Sequence, residues 1–255
     1  MEVEKFNYVL PEELIAQYPL EPRDTSRLLV LDKHTGNIIH KEMFRQIVDE
    51  ITPNDVLVFN DTKVIPARLH GRRAETGGKV EVLLLTPCGD HRWECLVKPG
   101  AKCKKGQVLE FGPLLKGEVL DTTSFGGRII EFYPVGDFDD VIQRIGEMPL
   151  PPYIHEKLAD KNRYQTVYAK EDGSAAAPTA GLHFTPELLA NIQQKGAQIL
   201  FVTLHVGLGT FRPVSVEVIE DHEMHSEYYV VTQETADAIN VAKEQGKRII
   251  AVGTT

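Results

Sequence analysis

Apolar positions along this chain fall into two rhythms, split by a stretch of short strands. Leu28-Leu29-Val30-Leu31 and Val56-Leu57-Val58-Phe59 are unbroken apolar runs of strand length, the second reading as fully buried. Residues 10–15 start a short helix that Pro19 and Pro22 end, and 44–51 predict an amphipathic helix. After Pro66 the pattern changes to short strands over 80–85, 93–97, 108–111, 115–120 and 128–132. Gly77-Gly78, Gly89-Asp90, Pro99-Gly100, Gly112-Pro113 and Gly126-Gly127 punctuate them, with no helix between, which predicts a small antiparallel barrel. A helix over 137–145 and a stiff connector at 149–154 follow.

From Arg163 the α/β rhythm returns. Thr185 is a good N-cap, Pro186 fits the first helical position and Glu187 suits the positive end of the dipole. Leu188, Leu189 and Ile192 then recur at helical spacing until Gly196. The strand 198–204 follows, tipped with His205; Thr232 caps a helix over 233–245, and 248–252 is another buried strand. The expected fold is therefore an α/β main domain with an inserted small antiparallel β-barrel domain. Its parts are residues 1–65 and 147–255 for the α/β domain and 66–146 for the barrel. The chain stops at a strand tip, where such a domain ordinarily supplies another helix, so a further C-terminal portion is expected.

Candidate chemistry gathers at the tips of the apolar strands. Asn60-Asp61, His205 and Thr254-Thr255 end three of them, where an open α/β sheet places its ligand crevice. The run from Gly173 to Phe184 is poor in bulk, contains His183, and lets a ligand approach backbone N–H groups. The bland reading of that run is a tight Ala/Gly connection. The histidines suit proton exchange near neutral pH, and the alternative for each is a structural hydrogen bond. Arg23 and Arg27 can hold an anion by forked hydrogen bonds or pair with Asp24. His222 and His225 are three apart, but nothing nearby completes a metal site, so no metal is expected. No phosphate-loop, dinucleotide or nucleophile-elbow pattern is present, which removes the usual NTPase, Rossmann dehydrogenase and serine hydrolase readings.

At 255 residues and 42% hydrophobic, the chain can bury one large core or two smaller ones. Its three cysteines, Cys88, Cys95 and Cys103, lack a Cys-x-x-Cys spacing, which favours a reducing, cytoplasmic setting. No apolar run is long enough to span a bilayer, and Met1 to Lys5 is no signal peptide. The net charge of −9 argues against a generic polyanion binder, but its distribution is uneven. Lys63, Arg68, Arg72, Arg73 and Lys79 face only Glu75 in their window, whereas 217–237 is acidic with no Lys or Arg. One basic face for a nucleic acid and plain solvated barrel loops both fit that pattern.

Several stretches in order carry a resemblance. They are Arg23-Asp24-Thr25-Ser26-Arg27-Leu28-Leu29-Val30, the run from Val58 to Leu69, Pro149-Leu150-Pro151-Pro152-Tyr153-Ile154, Arg163 to Tyr168, Ala176 to Phe184 and Thr203 to Pro213. The chain resembles the S-adenosylmethionine:tRNA ribosyltransferase-isomerase family of queuosine biosynthesis, from near Phe6 to Thr255. Members usually carry Val at the position of Ala175 and often Ala at Leu208, and continue past Thr255. The resemblance implies that S-adenosylmethionine donates its ribosyl group to 7-aminomethyl-7-deazaguanine at the tRNA wobble position. Epoxyqueuosine-tRNA forms and adenine and methionine leave. S-adenosylmethionine is then a substrate, and no cofactor is expected.

On the residues, His183 and His205 are the candidates for proton handling, in either order, and Asp61 for holding the ribose or the incoming amine. Arg23, Asp24, Ser26, Arg27, Asn60, Thr179, Gly181, Phe184, Gly207, Gly209 and Phe211 are the candidates for substrate binding, with Phe184 or Phe211 stacking on adenine. Arg68, Arg72, Arg73 and Lys79 are the candidates for meeting tRNA. His183, His205 and Asp61 are expected to border one open cavity. The expected form is a cytoplasmic monomer. The rival functions are a structured-RNA-binding module without chemistry and a nucleoside-binding methyltransferase.

Overall fold

The computed structural model describes all residues except 125, 208–213, 215, 223, 225 and 255. Three short 3-10 turns, Val3–Phe6, Glu12–Leu14 and Arg23–Thr25, precede the antiparallel hairpin β1 (Leu28–Leu31) and β2 (Ile38–Lys41), the second of them standing where a short helix was expected. Residues 44–50 wind as a 3-10 helix rather than the expected α-helix, the tighter form common in short pieces; Ile51 is already extended ahead of Pro53. β3 (Asp55–Asn60) then enters the centre of a sheet, which is why Val56, Leu57 and Phe59 are fully buried. β4 (Thr62–Val64) leaves it towards the barrel.

The barrel is closed and antiparallel, in the order β10-β7-β6-β5-β8-β9. Its strands are β5 (Arg68–Arg73), β6 (Lys79–Gly89), β7 (Arg92–Lys98), β8 (Val108–Glu110), β9 (Leu115–Thr122) and β10 (Arg128–Pro134). β5 is absent from the strands the hydrophobic pattern predicts. It alternates Leu69 inward with Arg68, His70 and Arg72 outward, and Gly71 stands where a side chain would collide with the Phe111 ring. Leu69, Val82, Leu84, Leu109 and Ile130 fill the interior. Helix α1 (Phe138–Ile145), capped by the Asp137 side chain, closes the barrel with Phe138, Val141 and Ile142.

The chain re-enters the main domain through β11 (Glu171–Ser174), which pairs in parallel with β4. Helix α2 (Pro186–Gln194) follows, with the Thr185 hydroxyl accepting from the Leu188 N–H. β12 (Gln198–His205), β13 (Tyr228–Val230), α3 (Gln233–Glu244) and β14 (Arg248–Ala251) complete the described elements. The main sheet runs β13-β12-β3-β14, with β12, β3 and β14 parallel and β13 antiparallel at one edge. Leu188 and Ile192 of α2 pack on Leu57 and Phe59, so α2 covers that face. An α/β main domain carrying an inserted barrel is thus the observed architecture. Among the described residues no helix is long and apolar enough to cross a membrane.

Candidate functional site

Strand alternation places the polar groups that matter on the α2 face. Leu57, Phe59 and Asp61 share one parity, as do Ile199, Phe201, Thr203 and His205 on the neighbouring strand. The Thr203 hydroxyl accordingly donates to Asp61 Oδ1 at 2.6 Å, and the Phe59 and Phe201 ring centroids lie 6.0 Å apart. An open cavity of about 660 Å³ lies here, lined by Asp61, Lys170, Phe201, Thr203, His205 and Tyr228 among others.

His205 is held on three sides. Its Nδ1 shares a 2.7 Å hydrogen bond with the Thr62 hydroxyl, and the Tyr228 ring stacks on it at 5.7 Å, tilted by 15°. On the third side Nε2 packs against Gly173, where a Cβ would come within 3.0 Å; with φ of +142° that backbone suits glycine in any case. Burial lowers the His205 pKa, while the carboxylates of Asp61, Glu171 and Asp172 pull the other way.

The run 173–177 crosses the strand tips. The Ala175 N–H donates to the Val206 carbonyl at 3.0 Å, and the Val206 N–H to the Ser174 hydroxyl at 2.9 Å. A 3-10 turn, Thr179–His183, then leads into α2 on the same face as His205. His183 Nδ1 shares a 2.8 Å hydrogen bond with the Ser26 hydroxyl, and its ring lies 5.1 Å from that of Phe44. Burial lowers its pKa; the Arg23 backbone favours the charged ring, and the Arg163 and Arg23 charges oppose it. Among the described residues, His183 is not one of those lining the cavity of Asp61 and His205. Phe44, against the His183 ring, also packs on Phe184, which in turn meets Phe59.

Most of the other candidates make contacts within the protein. Phe184 is 1% exposed, wedged edge-on between Phe44 at 5.0 Å and Phe59 at 4.9 Å, so it is a core ring with no free face for adenine. Asn60 is equally buried: its amide donates to the Leu204 carbonyl and accepts from the Thr62 and Leu204 N–H groups, bridging β3 to β12. Arg23 donates to the carbonyls of Gln165, Leu182 and Asn162, which anchors the His183 turn. Asp24 pairs with Arg45 at 3.0 Å rather than with either neighbouring arginine. Arg27 and Thr179 are exposed, Gly181 is buried against Tyr168, and the Gly207 N–H donates to Glu227. Gly209 and Phe211 lie outside the described residues.

On the barrel, Arg72 and Lys79 are exposed cross-strand partners. Arg68 and Arg73 are turned against the protein instead. Arg68 lies 3.8 Å from Glu81, and the Arg73 guanidinium rests on Gly78. Among the described residues no cluster of His, Cys, Asp or Glu is arranged to hold a metal ion, and Cys88, Cys95 and Cys103 are free. Thr203 and Tyr228 are neighbours of Asp61 and His205 that the strand-tip reasoning did not name, while Thr62, at the β3 tip, and Gly173, at the head of the small-residue run, were noted without these contacts. Of the first two, only Thr203 carried a readable signal, two positions before His205 on the same strand face.

One imidazole, His205, and the carboxylate of Asp61 thus sit at the carboxyl ends of neighbouring parallel strands, where an α/β sheet places its ligand crevice, beside an appended barrel. The chain belongs to the queuosine biosynthesis protein family, whose model matches residues 3–255. It is 59% identical over 256 residues to the S-adenosylmethionine:tRNA ribosyltransferase-isomerase of Caldanaerobacter subterraneus subsp. tengcongensis, covering 100% of this chain and 75% of that one. Among solved structures, it is similar to an S-adenosylmethionine tRNA ribosyltransferase from Thermotoga maritima. That likeness has 37% identity and a TM-score of 0.43, and covers 97% of this chain and 68% of the other.

Proposed function

We propose that this chain is an S-adenosylmethionine:tRNA ribosyltransferase-isomerase of queuosine biosynthesis. It moves the ribosyl group of S-adenosylmethionine onto 7-aminomethyl-7-deazaguanine at the tRNA wobble position, with release of adenine and methionine. The observation that carries this reading is the 59% identity, over all of this chain and 75% of the other, to a relative of that name. The chemistry needs a proton removed beside the sulfonium, an acid to help adenine leave, and a neutral amine as nucleophile. Positive sulfur stabilises the adjacent carbanion, so a histidine of suitable pKa suffices as base.

The electrostatics divide the two imidazoles. His205 faces the carboxylates of Asp61, Glu171 and Asp172, which stabilise an imidazolium once it forms. With Nδ1 tied to the Thr62 hydroxyl, Nε2, which lies over the bare Gly173 Cα, is the nitrogen left to carry the proton. His205 is therefore the proton carrier in this reading. His183 sits near the Arg23 and Arg163 charges, which disfavour a second cation, and so stays neutral and orients substrate. Asp61 holds a hydroxyl or amine of the substrate, and Arg72 and Lys79 meet tRNA phosphates. No metal or cofactor takes part, and the chain works as a cytoplasmic monomer.

The test is chromatography of a mixture of the protein, S-adenosylmethionine and precursor tRNA. Free adenine formed only with that tRNA supports ribosyl transfer. Transfer of the methyl group with adenine left intact on the sulfur product would replace this reading by a methyltransferase.

A further inference from the structure

A second cavity, of about 260 Å³, lies where the barrel meets β11, and none of the roles above uses it. Its floor is apolar, with Pro87 and Trp93 from the barrel and Phe138 and Ile142 from α1. The Trp93 and Phe138 rings stack at 6.0 Å, inclined by 27°. The rim is polar. Asp139 and Gln143 stand one turn apart on the exposed side of α1, and Asp172 and Gly173 of β11 supply the other wall. Asp172 pairs with Lys63 at 3.3 Å, whereas the side chains of Asp139 and Gln143 have no hydrogen-bond or ion-pair partner among the described residues.

This cavity adjoins the site already described. Successive residues of β11 serve the two: Glu171 lines the cavity of Asp61 and His205, while Asp172 and Gly173 line this one. Gly173 is also the residue whose bare Cα lies against His205 Nε2. The volume is below the range of drug-sized ligands and suits a single heterocyclic ring system. A flat ring over an apolar floor must meet the rim with its polar edge. A guanine-type edge offers adjacent N–H donors and one carbonyl acceptor, which a carboxylate and an amide N–H satisfy together. Adenine places a ring acceptor there, which a carboxylate repels. Enzymes that act on a base in a nucleic acid take it out of the stack into a pocket of this kind.

We propose that this cavity receives the 7-aminomethyl-7-deazaguanine base, turned out of the tRNA loop. Asp139 and Gln143 meet its guanine edge, and its aminomethyl arm passes Asp172 and Gly173 towards His205. The assignment rests on the ribosyl-transfer reading. Lys79 and Pro87 lie on one strand, β6, at most about 26 Å apart at ordinary strand rise, so the cavity is within reach of a stem-loop held at Arg72 and Lys79.

Trp93 is the only tryptophan of the chain, so its fluorescence reports on this cavity. The test titrates free 7-aminomethyl-7-deazaguanine into the native chain and into Asp139→Ala, followed by fluorescence and by calorimetry. The native chain is expected to give a saturable signal that adenine does not produce. Asp139→Ala should bind the base about tenfold or more weakly, the scale of hydrogen bonds to a charged group. Its kcat/KM for precursor tRNA falls by a similar factor. Its melting temperature and its affinity for S-adenosylmethionine stay near native, because Asp139 is exposed and lies outside the cavity of Asp61 and His205. No saturable signal by either method, an equal response to adenine, or unchanged affinity in the variant overturns the assignment. So does a fall in melting temperature that accounts for the lost binding. The titrations need no turnover, which separates the two readings. A native chain that binds the base but releases no adenine overturns ribosyl transfer and leaves the cavity its ligand; one that releases adenine but does not bind the base here overturns the cavity alone.

Discussion

Thr62 and His205, 143 residues apart in the chain, share a 2.7 Å hydrogen bond between the Thr62 hydroxyl and imidazole Nδ1. It fixes which ring nitrogen is left for chemistry, so the pair is the natural place to test the proton carrier. His205→Ala is expected to lower turnover about a hundredfold or more, the usual loss for a general acid–base group. Burial holds the His205 pKa below its ordinary value, and the base must be neutral to act. The rate is thus level near neutrality and falls as pH drops through that lowered pKa. Asp61→Asn removes the first of the carboxylates that raise it, so the acid limb moves to lower pH. A limb that moves up, or stays in place, contradicts His205 as base.

His183 and Ser26 form the second pair, at 2.8 Å, in a setting that opposes protonation. A ring that works as a neutral hydrogen-bonding group can be replaced in part by an amide. His183→Asn is expected to keep roughly a tenth of native turnover, and His205→Asn about a hundredth or less, because an amide carries no proton at these pH values. Equal losses in the two variants would remove the division of roles.

Phe184 shows what a substitution does when it touches the core instead. Its ring closes the contact between Phe44 and Phe59 under α2. Phe184→Ala is expected to cost about 3–5 kcal/mol by cavity formation, read by denaturant unfolding. Phe184→Leu, with less volume lost, should retain the fold and most S-adenosylmethionine binding. A large loss of binding at unchanged stability would return Phe184 to the substrate.

How much of this was legible in the sequence follows from the range of each interaction. β3, α2 and β12 were legible because local signals suffice: apolar runs of strand length, and Thr185-Pro186 at a helix start. The five later barrel strands were legible from their Gly/Pro punctuation. β5 was not, since Gly71 replaces the apolar residue expected beside Leu69 and the arginines masked the alternation. The strand tips pointed to Asp61 and His205, but their partners are remote in sequence. Gly173 meets His205 only because β11 pairs with β4, and Phe184 is enclosed by rings from residues 44 and 59. A lone Phe after a His looks the same in sequence whether it faces ligand or core.

The free cysteines and the described carboxylates and histidines give no ligand set for a metal. Adenine release is therefore expected to survive prolonged exposure to EDTA, with tRNA folding maintained by added monovalent salt. Activity lost to the chelator and restored by zinc alone would show a metal requirement.

The last expectation separates the cations of the barrel. Arg72 and Lys79 face each other across β5 and β6, exposed to solvent, while Arg73 on the same strand lies against Gly78 with its Nε buried. A side chain that meets a phosphate displaces condensed counterions, so its loss weakens binding and flattens the dependence on salt. Arg72→Ala with Lys79→Ala is expected to weaken precursor-tRNA binding and to reduce the slope of log affinity against log salt by about two. Arg73→Ala should leave that slope unchanged and act through stability, because its guanidinium packs on the hairpin. Titrations at several salt concentrations decide the matter. An unchanged slope in the double variant would move the RNA surface away from this edge of the barrel, and a changed slope in Arg73→Ala would mean that the guanidinium swings out to reach the RNA.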